Sequence, residues 1–428
     1  MASAEQFIKV GNIIRADKER SFVVPSAPGK RFSADTKVTD MLYGCYALAE
    51  AGKNFAKELD AIKARYQEII DGLHLELSLD EEFKVIEKNF KEKAGSDYAA
   101  SRGEYLNGII MAAYLGYEFI DSAEVIFFKE DGEFDAEVTN EVLSARLAEC
   151  KNAVVPGFYG AYADGRVKTF SRGGSDITGS IVAKAIKADV YENWTDVSGI
   201  LVADPRIIDK PEVIEVVTYR ELRELAYMGF SVLHEDAIFP VRQQGIPINI
   251  RNTNAPEDGG TWIVGSTCQK SKYVITGIAG KKGFCAVNIE KDMMNSEIGF
   301  GRKVLQAFEE NGISFEHVPS GVDTMTVFVH QDEFMHKEQK VVAGLHRLAD
   351  PDTIDIESDL ALIAVVGRGM KSARGTAGRV FAALAHANIN VKMIDQGSSE
   401  LNIIIGVANE DFEQAIKAIY DIFVVTQL

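Results

Sequence analysis

The stretch Thr169-Phe170-Ser171-Arg172-Gly173-Gly174-Ser175-Asp176 decides the fold, because a strand pattern leads into it and a helix pattern follows it. The apolar run Ala153 to Phe158 is typical of a buried strand, and apolar residues recur at helical spacing from Ile177 to Ala185. Ser175 or Asp176 is placed to cap that helix. A strand, a tight turn and a helix start in succession predict an α/β protein.

The same turn is suited to binding an anion. Its two glycines let the backbone present N–H groups, and the start of the helix adds a partial positive charge. Arg172 supplies a flat, permanently charged side chain that matches a carboxylate or a phosphate. We therefore expect an anion site here. The alternative is a structural turn whose polar residues only cap the helix.

The composition excludes several classes of protein. A chain of 428 residues is too long for one ordinary core, so two or three domains are expected. The formal net charge of −18 argues against nucleic acid or an anionic membrane as the main partner. The cysteines and histidines lack metal-ligand or redox spacing, so we expect no metal site built by the protein. With a polar start and no membrane-length apolar run, we expect neither a signal peptide nor a transmembrane helix, and a cytoplasmic location.

Strand and helix patterns alternate through the first 265 residues. Such alternation predicts a mainly parallel sheet covered by helices on both faces. Two segments, 195–200 and 204–206, follow the predicted strand Val190 to Trp194, and open α/β sheets bind ligands at the carboxyl ends of their strands. The segment from Asn252 to Gly260, rich in Asn and Gly, is the clearest linker and predicts a domain boundary soon after it.

An internal repeat follows the linker. A shift of 76 positions places similar residues opposite one another over the remaining length. The pairs include Val304 with Val380, Leu305 with Phe381, Phe308 with Leu384, Ile313 with Ile389, Gly321 with Gly397 and Val327 with Ile403. Each copy reads as a helix, a strand, a glycine turn and a strand, so we expect two copies of a small α+β unit.

Several motifs, in this order along the chain, resemble those of the aspartate kinase family. They are Gly29 through Asp40 with Thr39, Arg102-Gly103-Glu104, the stretch 171–176, Trp194-Thr195-Asp196-Val197-Ser198-Gly199-Ile200, Asp204-Pro205-Arg206, and Gly229-Phe230-Ser231-Val232-Leu233-His234. With the tandem repeat, the match covers nearly the whole chain. The resemblance implies an amino-acid-kinase fold, with a mainly parallel sheet between helical layers, followed by two ferredoxin-like α+β ACT domains.

The resemblance also implies domain boundaries. Residues 1–265 would form the catalytic domain, and 284–359 a first ACT domain inserted in a second one made of 271–283 and 360–428. The family opens with a strand and a Lys-x-Gly-Gly-(Ser/Thr) turn whose lysine reaches the nucleotide phosphates. We expect that strand and lysine to be missing from the printed chain, and its turnover to be low.

The reaction implied by the resemblance moves the γ-phosphoryl group of ATP to the side-chain carboxylate of L-aspartate. The product, 4-phospho-L-aspartate, opens the biosynthesis of lysine, threonine and methionine. Arg172 is expected to hold the α-carboxylate, with Ser175 and Thr39 as hydroxyl donors. Glu104 is the expected partner of the ammonium group, and Asp176 could share that role. The alternative for Glu104 is a carboxylate that only faces the helix dipole.

A second set of residues is expected to bind ATP, with Mg²⁺ bridging its phosphates. These residues are Thr195, Asp196, Asp204, Arg206 and Ser231. Ser231 stands where the family commonly has a lysine, and Leu201 stands where tyrosine is usual. Lys30 or Arg206 is a candidate to supply part of the lost positive charge. For Asp204-Pro205-Arg206 the alternative is a plain turn.

The ACT pair implies feedback by lysine, threonine or both. It also implies a homodimer or higher homo-oligomer through the first ACT domains. Ser296, Phe315 and Glu316 are the candidate effector contacts. Glu316 would suit a lysine ammonium, although an exposed carboxylate at a strand end is an equal alternative, and the sequence does not choose the effector.

Two other classes of function stay open. One is another amino-acid kinase, such as a glutamate or acetylglutamate kinase, against which the tandem repeat argues. The other is a non-catalytic amino-acid sensor, which the missing lysine turn favours. Because the sequence stops at Leu428, we do not expect the homoserine dehydrogenase part of a bifunctional form.

Overall fold

The structure is a computed structural model that describes residues 1–171, 173–230, 233, 235–267 and 271–426. The chain packs into two units. The first comprises Met1–Gly199 and Val232–Gly265, and the second comprises Ile200–Ser231 and Ser266–Leu428.

Helices and strands are mixed along the chain. The helices are α1 (Ala4–Ala16), α2 (Val38–Glu50), α3 (Ala56–Gly72), α4 (Asp80–Lys91), α5 (Ser96–Leu115), α6 (Ser122–Val125), α7 (Ala136–Ala148), α8 (Gly174–Ala185), α9 (Tyr219–Tyr227), α10 (Glu235–Gln244), α11 (Phe300–Glu309), α12 (Gln331–Met335), α13 (Glu338–Leu348), α14 (Thr376–His386) and α15 (Phe412–Tyr420). Short 3₁₀ turns cover Met294–Ser296 and Arg368–Ser372, and a π-helical turn covers Asp421–Val425.

The strands are short in the first unit and longer in the second. They are β1 (Phe22–Val23), β2 (Glu118–Phe119), β3 (Phe127–Phe128), β4 (Ala153–Val154), β5 (Tyr159–Tyr162), β6 (Val167–Thr169), β7 (Tyr191–Thr195), β8 (Val216–Thr218), β9 (Ile248–Asn252), β10 (Thr261–Val264), β11 (Gly277–Glu290), β12 (Phe315–His317), β13 (Thr324–His330), β14 (Thr353–Val366), β15 (Met393–Asp395) and β16 (Asn402–Ala408).

Strand pairing in the first unit is mainly parallel. β1 and β2 flank β4 in parallel, β3 runs parallel to β5, and β7 runs parallel to β9. β6 and β10 are antiparallel to their partners β5 and β9. Parallel neighbouring strands need a crossover connection, because the chain has to return to the same edge of the sheet before the next strand begins. Helices form these connections here.

The helices of the first unit share one hydrophobic core. α2, α3, α4 and α5 direct apolar side chains toward one another at helical spacing, and α1 covers them. The fully buried members include Leu42, Ile62, Tyr66, Ile86 and Phe90. Each such side chain contributes about 1.5–3 kcal/mol relative to an exposed one. α5 runs through the interior, so its polar residues are buried together with its apolar ones.

The segment Asn252 to Gly260 is a hairpin loop and not a linker between domains. β9 ends at Asn252 and β10 begins at Thr261, and the two strands pair antiparallel within the first unit. The composition of a hairpin loop and that of a linker are alike, since both favour Gly, Asn and Asp. Only the strand pairing distinguishes them.

A six-stranded sheet, in the order β12-β13-β11-β14-β16-β15, forms the centre of the second unit. All its described pairs are antiparallel. β11 is shared along its length, because Phe284–Glu290 pairs with β13 and the whole strand pairs with β14. α11 and α13 cover one part of the sheet and bury Val287, Val327 and Phe308 with it.

The elements of the second unit recur at the predicted spacing. α11 begins at Phe300 and α14 begins at Thr376, which are 76 positions apart. A short strand and a longer strand follow each helix, β12 and β13 in the first copy and β15 and β16 in the second. The internal repeat is therefore a repeat of structure.

Residues 200–231 join the second unit through a buried carboxylate. The side chain of Glu221, on α9, is fully buried and accepts hydrogen bonds from Thr218 Oγ1 at 2.8 Å and Thr276 Oγ1 at 2.7 Å. The backbone N–H of Arg368 donates to it at 2.8 Å, and Nη1 of the same arginine lies 3.0 Å away. A buried carboxylate is stable here because charge and hydrogen bonds compensate it on several sides.

Candidate active site

Glu104 carries the clearest sign of a binding site. It lies on α5, and only 6% of it is exposed. The backbone N–H of Ala27 donates a hydrogen bond to its carboxylate. Its Oε2 atom is buried and has no hydrogen-bond partner among the described residues. Leaving a buried acceptor unpaired is costly, so this position is suited to a ligand that brings N–H donors and positive charge.

Burial raises the pKa of Glu104 from the ordinary value of 4.5 to about 7. The N–H of Ala27 and the positive charge of Arg102 act in the opposite direction, because both favour the ionised form. The carboxyl group therefore titrates near neutral pH. A bound cation would favour the ionised form further.

Arg102 is a buried cation enclosed by aromatic rings. Its guanidinium carbon lies 4.7 Å from the ring centre of Tyr98, 4.2 Å from that of Tyr105 and 5.4 Å from that of Tyr159. Ser101 Oγ accepts hydrogen bonds from Nε and Nη2 at 3.1 and 3.0 Å. Cation–π contacts stabilise the charge without neutralising it. Arg102 therefore keeps its positive charge two residues before Glu104, in the middle of the same helix, and favours the ionised form of that carboxyl group.

The loop at Ser26 and Ala27 crosses α5 beside Glu104. Nδ2 of Asn107 donates to the carbonyl oxygen of Ser26 at 2.6 Å, one turn along the helix from the bond between Ala27 and Glu104. Oδ1 of Asn107 is buried and lacks a hydrogen-bond partner among the described residues. Two adjacent loop residues are thus held by two side chains of one helix.

Thr39 lies close to the same place. A Cβ atom built on Gly103 would lie 2.9 Å from the Cβ of Ala27 and 3.8 Å from Thr39 Oγ1. Thr39 is the second residue of α2 and is half-buried. Thr39 therefore lies beside Gly103, the residue that precedes Glu104 on α5.

Gly157 contacts both Ser175 and the start of this loop. The N–H of Gly157 donates to the carbonyl oxygen of Pro25 at 3.0 Å. A Cβ atom at Gly157 would lie only 2.6 Å from Ser175 Oγ, so the close approach requires glycine. The start of α8 thus packs against Gly157, which is hydrogen-bonded to the residue that precedes Ser26 and Ala27.

The predicted cap of α8 is wrong. The helix begins at Gly174, and Gly173, with a φ of 58°, is its N-cap. This left-handed angle favours glycine, so the first glycine of the pair occupies the N-cap position, where it has no side chain to accept a capping hydrogen bond. Ser175 and Asp176 lie inside the first turn. Arg172 lies outside the described residues, and its contact with a carboxylate stays a prediction.

Asp176 is tied to β7. Nδ2 of Asn193 donates to its Oδ1 at 2.8 Å, and the hydroxyl of Tyr191 donates to its backbone oxygen at 3.2 Å. These bonds fix the start of α8 against the strand. The expectation that Asp176 shares the role of Glu104 stays a prediction.

Thr195 and Asp196 lie together at the end of β7. Thr195 Oγ1 donates to Asp196 Oδ1 at 3.2 Å, and the N–H of Thr253 donates to the carbonyl oxygen of Thr195 at 2.9 Å. Asp196 is exposed. Because β7 is parallel to β9, this is the carboxyl end of a parallel pair, where α/β proteins bind ligands.

Asp204 and Arg206 belong to the second unit and pair with each other. Arg206 Nη2 lies 2.6 Å from Asp204 Oδ2, and the hydrogen bonds from Arg206 lower the pKa of Asp204. The arginine side chain is 86% exposed, so the pair is weak and can be exchanged for another anion. Ser231 lies outside the described residues.

The candidate effector residues differ in their surroundings. Ser296 lies in the 3₁₀ turn, where its hydroxyl donates to the carbonyl oxygen of Met293 at 2.8 Å. Phe315 is half exposed on β12. The side chain of Glu316 is buried and lies 3.1 Å from His330 Nε2, so it already has a partner. Their effector roles stay predictions.

Several residues of the site were not predicted from the sequence. They are Ala27, Arg102 as an aromatic-caged cation, Asn107, Gly157 and Asn193. The sequence could have identified Asn107, because this polar residue lies three positions after Glu104 and interrupts an apolar helix face. The backbone N–H of Ala27 has no such signal.

Two further observations concern the described part of the chain. No group of three or more His, Cys, Asp or Glu side chains within it could hold a metal ion. None of its helices is long and apolar enough to cross a membrane.

Comparison with known proteins identifies the family. Residues 1–252 match the amino acid kinase family, and residues 363–423 match an ACT domain. The chain is 40% identical to Aspartokinase 3 of Bacillus subtilis over 99% of its length and 96% of that protein. The crystal structure of Clostridium acetobutylicum aspartate kinase, described as an allosteric enzyme, is 50% identical with a TM-score of 0.88 and covers 99% of this chain and 97% of its own.

A more distant structure agrees in fold. E. coli aspartokinase III, solved in complex with aspartate and ADP, is 24% identical with a TM-score of 0.71, and the match covers 98% of this chain and 96% of that chain. The amino-acid-kinase fold with ACT domains, expected from the sequence, is confirmed by the family matches and by these structures. The chain belongs to the aspartokinases, within the amino acid kinase family.

Proposed function

We propose that this chain transfers the γ-phosphoryl group of ATP to the side-chain carboxylate of L-aspartate. The product is 4-phospho-L-aspartate, and the reaction would be the first step towards lysine, threonine and methionine. The observation that supports this most is the buried, half-paired carboxylate of Glu104, which accepts a hydrogen bond from the loop at Ala27. The names of the relatives point to the same activity.

Each substrate group has a proposed partner. Glu104 binds the ammonium group, because an ion pair with it would satisfy Oε2 and offset the desolvation of the carboxylate. Arg172 binds the α-carboxylate, and Thr39 and Ser175 donate hydroxyl hydrogen bonds. The side-chain carboxylate is then left to face the nucleotide. The proximity of Thr39 to Gly103 and of Ser175 to Gly157 supports this arrangement.

The reaction needs positioning rather than a general base. A carboxylate with an ordinary pKa of about 3.9 is already ionised at neutral pH and can attack as it is. The obstacle is the repulsion between two anions that have to be held in line. Fixed positive charge and N–H donors around the substrate reduce it. A rigid, hydrogen-bonded loop and the start of a helix are suited to this reaction, because they hold such groups in fixed positions.

ATP and Mg²⁺ are part of the proposal. We propose that Thr195, Asp196, Asp204, Arg206 and Ser231 contact the nucleotide. The exposed guanidinium of Arg206 fits a phosphate group. Mg²⁺ characteristically binds through phosphates and one or two carboxylates, so it requires no protein cage, and it would neutralise phosphate charge.

The test is the trapping of the acyl phosphate with hydroxylamine. Incubation with ATP and L-aspartate is expected to give aspartyl hydroxamate, and replacement of aspartate by L-glutamate is expected to give none. Glu104→Gln should lower the aspartate-dependent signal by about 100-fold, as for a lost charge-assisted anchor. Hydroxamate formed equally well from glutamate would contradict the choice of substrate.

Regulation by an amino acid, lysine or threonine or both, is the second part of the proposal. It is supported by the structural repeat and by the description of the Clostridium relative as allosteric. We assign residues 1–265 to the catalytic domain, 284–359 to the first ACT domain, and 271–283 with 360–428 to the second. β11 pairs with β13 over Phe284–Glu290, and this pairing supports the insertion of the first ACT domain into the second at residue 284.

The regulatory proposal includes assembly and location. ACT sheets are proposed to pair across a homodimer or higher homo-oligomer, with Ser296, Phe315 and Glu316 near the effector. The free thiols of Cys45, Cys150 and Cys285 fit the reducing cytoplasm that we propose. Titration of the whole chain with lysine and with threonine, alone and together, is the test. Binding of neither would refute the effector assignment.

A further inference from the structure

Two unpaired oxygens on α5 belong together. Within the described part of the chain, the buried atoms without a partner that can only accept a hydrogen bond are Glu104 Oε2, Asn107 Oδ1 and Asn409 Oδ1. The first two are three residues apart on one helix, and residues at that spacing project from the same face. Native structures leave few buried polar atoms unpaired, so two such atoms on one face of a helix indicate one missing partner for both.

The contacts on the other side of each side chain confirm the common direction. The carboxylate of Glu104 accepts from the N–H of Ala27, and the amide nitrogen of Asn107 donates to the oxygen of Ser26 at 2.6 Å. Both side chains are therefore held against the same two residues of one loop. Asn107 is fully buried and Glu104 is 6% exposed, so bulk water does not satisfy the two free oxygens.

The chemistry of the missing partner follows from these acceptors. Two acceptors, one of them a carboxylate, require a group with at least two N–H or O–H donors and favour a positive charge. A primary ammonium has three donors and one charge, and matches both requirements. A carboxylate or a phosphate does not, because it brings no donor.

We propose that Asn107 Oδ1, with Glu104 Oε2, binds the ammonium group of the substrate and so makes the site select an amino acid over the dicarboxylate that lacks the amine. This inference rests on the proposed function, since it names a further residue of that site. Asn107 thus has two separate tasks. Its nitrogen holds the loop, and its oxygen holds the ligand.

The experiment compares L-aspartate with succinate, which has the same two carboxylates and no ammonium group. Dissociation constants are measured at pH 8 by ligand-observed NMR, which reaches millimolar affinities. The readout is the ratio of the succinate constant to the aspartate constant. For Asn107→Ala we expect this ratio to fall by about 10-fold, the value of one hydrogen bond to a charged group, with succinate binding changed little.

Two variants make the result specific. Asn107→Asp loses the donor to Ser26 but places a charged acceptor at the same position, so its ratio should rise above that of the unsubstituted chain, because a second carboxylate attracts the ammonium group and repels succinate. If Asn107→Ala does not fold, an Asn107→Asp ratio that does not rise contradicts the inference. Asn409→Ala removes the corresponding unpaired oxygen in the second unit and should leave the ratio unchanged. Thermal melting checks the folding of each variant.

The possible failures are distinguishable. If Asn107→Ala weakens both ligands equally, the residue only positions the loop and the inference is wrong, while the aspartate site stands. If the unsubstituted chain binds neither ligand, or if Glu104→Gln leaves aspartate affinity unchanged, the proposed site itself fails and the inference falls with it.

Discussion

Replacing Glu104 by glutamine should stabilise the unliganded protein and weaken its binding of aspartate. The substitution removes a charge and keeps the size and the acceptor that meets the N–H of Ala27. In the free protein the ionised carboxylate is buried with one oxygen unpaired. Ionising it is therefore unfavourable, and glutamine avoids that cost.

The size of the effect follows from the pKa. A pKa of about 7 in the folded state, against 4.5 for an exposed glutamate, corresponds to about 3 kcal/mol. Because the folded pKa is the higher one, the stability contributed by the protonated group is full below pH 4.5 and is lost as the pH rises through 7. Relative to the unsubstituted chain, Glu104→Gln should gain about 3 kcal/mol at pH 8.5 and about 2 kcal/mol at pH 6.

Urea unfolding followed by tryptophan fluorescence measures this gain. Both tryptophans, Trp194 and Trp262, lie in the first unit with Glu104, so the signal reports on the unfolding of that unit. Glu81→Gln is the matched control, because its side chain is 84% exposed on the neighbouring helix α4. The control should change stability by no more than about 0.5 kcal/mol at either pH.

Aspartate binding should show the opposite dependence on pH. The ammonium group requires an ionised Glu104, and at a pKa of about 7 only about one tenth of the sites are ionised at pH 6. Affinity should therefore fall about 10-fold between pH 8 and pH 6, and Glu104→Gln should bind weakly at both. A variant that is no more stable than the unsubstituted chain at pH 8.5, with a flat affinity profile, would refute the reasoning about Glu104.

Three further variants test separate parts of the structure. Arg102→Met removes the cation that favours ionised Glu104, so the midpoint of the pH profile for aspartate binding should move to higher pH. Titration calorimetry measures this midpoint, and an unchanged midpoint would contradict the coupling between Arg102 and Glu104. Gly157→Ala places a Cβ atom 2.6 Å from Ser175 Oγ and should cost about 1–3 kcal/mol in urea unfolding, together with aspartate affinity. Arg368→Met leaves the buried Glu221 with neutral donors only and should cost about 3 kcal/mol in the free energy of unfolding. Arg302→Met is its control and should cost almost nothing, because Arg302 lies on the exposed face of α11.

The architecture was largely accessible from the sequence, because it depends on patterns that repeat. Alternating strand and helix patterns predicted the parallel pairing of the first unit, and the 76-residue shift predicted the recurrence of α11 in α14. The composition of 252–260 predicts a linker, but the segment is a hairpin loop, because composition does not show whether the flanking strands pair with each other.

The active site could be predicted from the sequence only in part. Glu104 and Thr39 were predicted by their motifs, and the structure places Thr39 beside Gly103, the residue that precedes Glu104. The burial of Glu104, and with it the displaced pKa, depends on how α5 runs through the core, which a local pattern does not contain. The donor from Ala27 is a backbone group, and any residue except proline carries it.

A crystal structure of the chain with L-aspartate bound tests the proposed site most directly. The ammonium nitrogen should lie about 3 Å from both Glu104 Oε2 and Asn107 Oδ1, with the α-carboxylate at the start of α8 beside Ser175. Aspartate bound in the reverse direction, with a carboxylate against Glu104, or bound away from α5, would contradict the proposed function and the inference built on it.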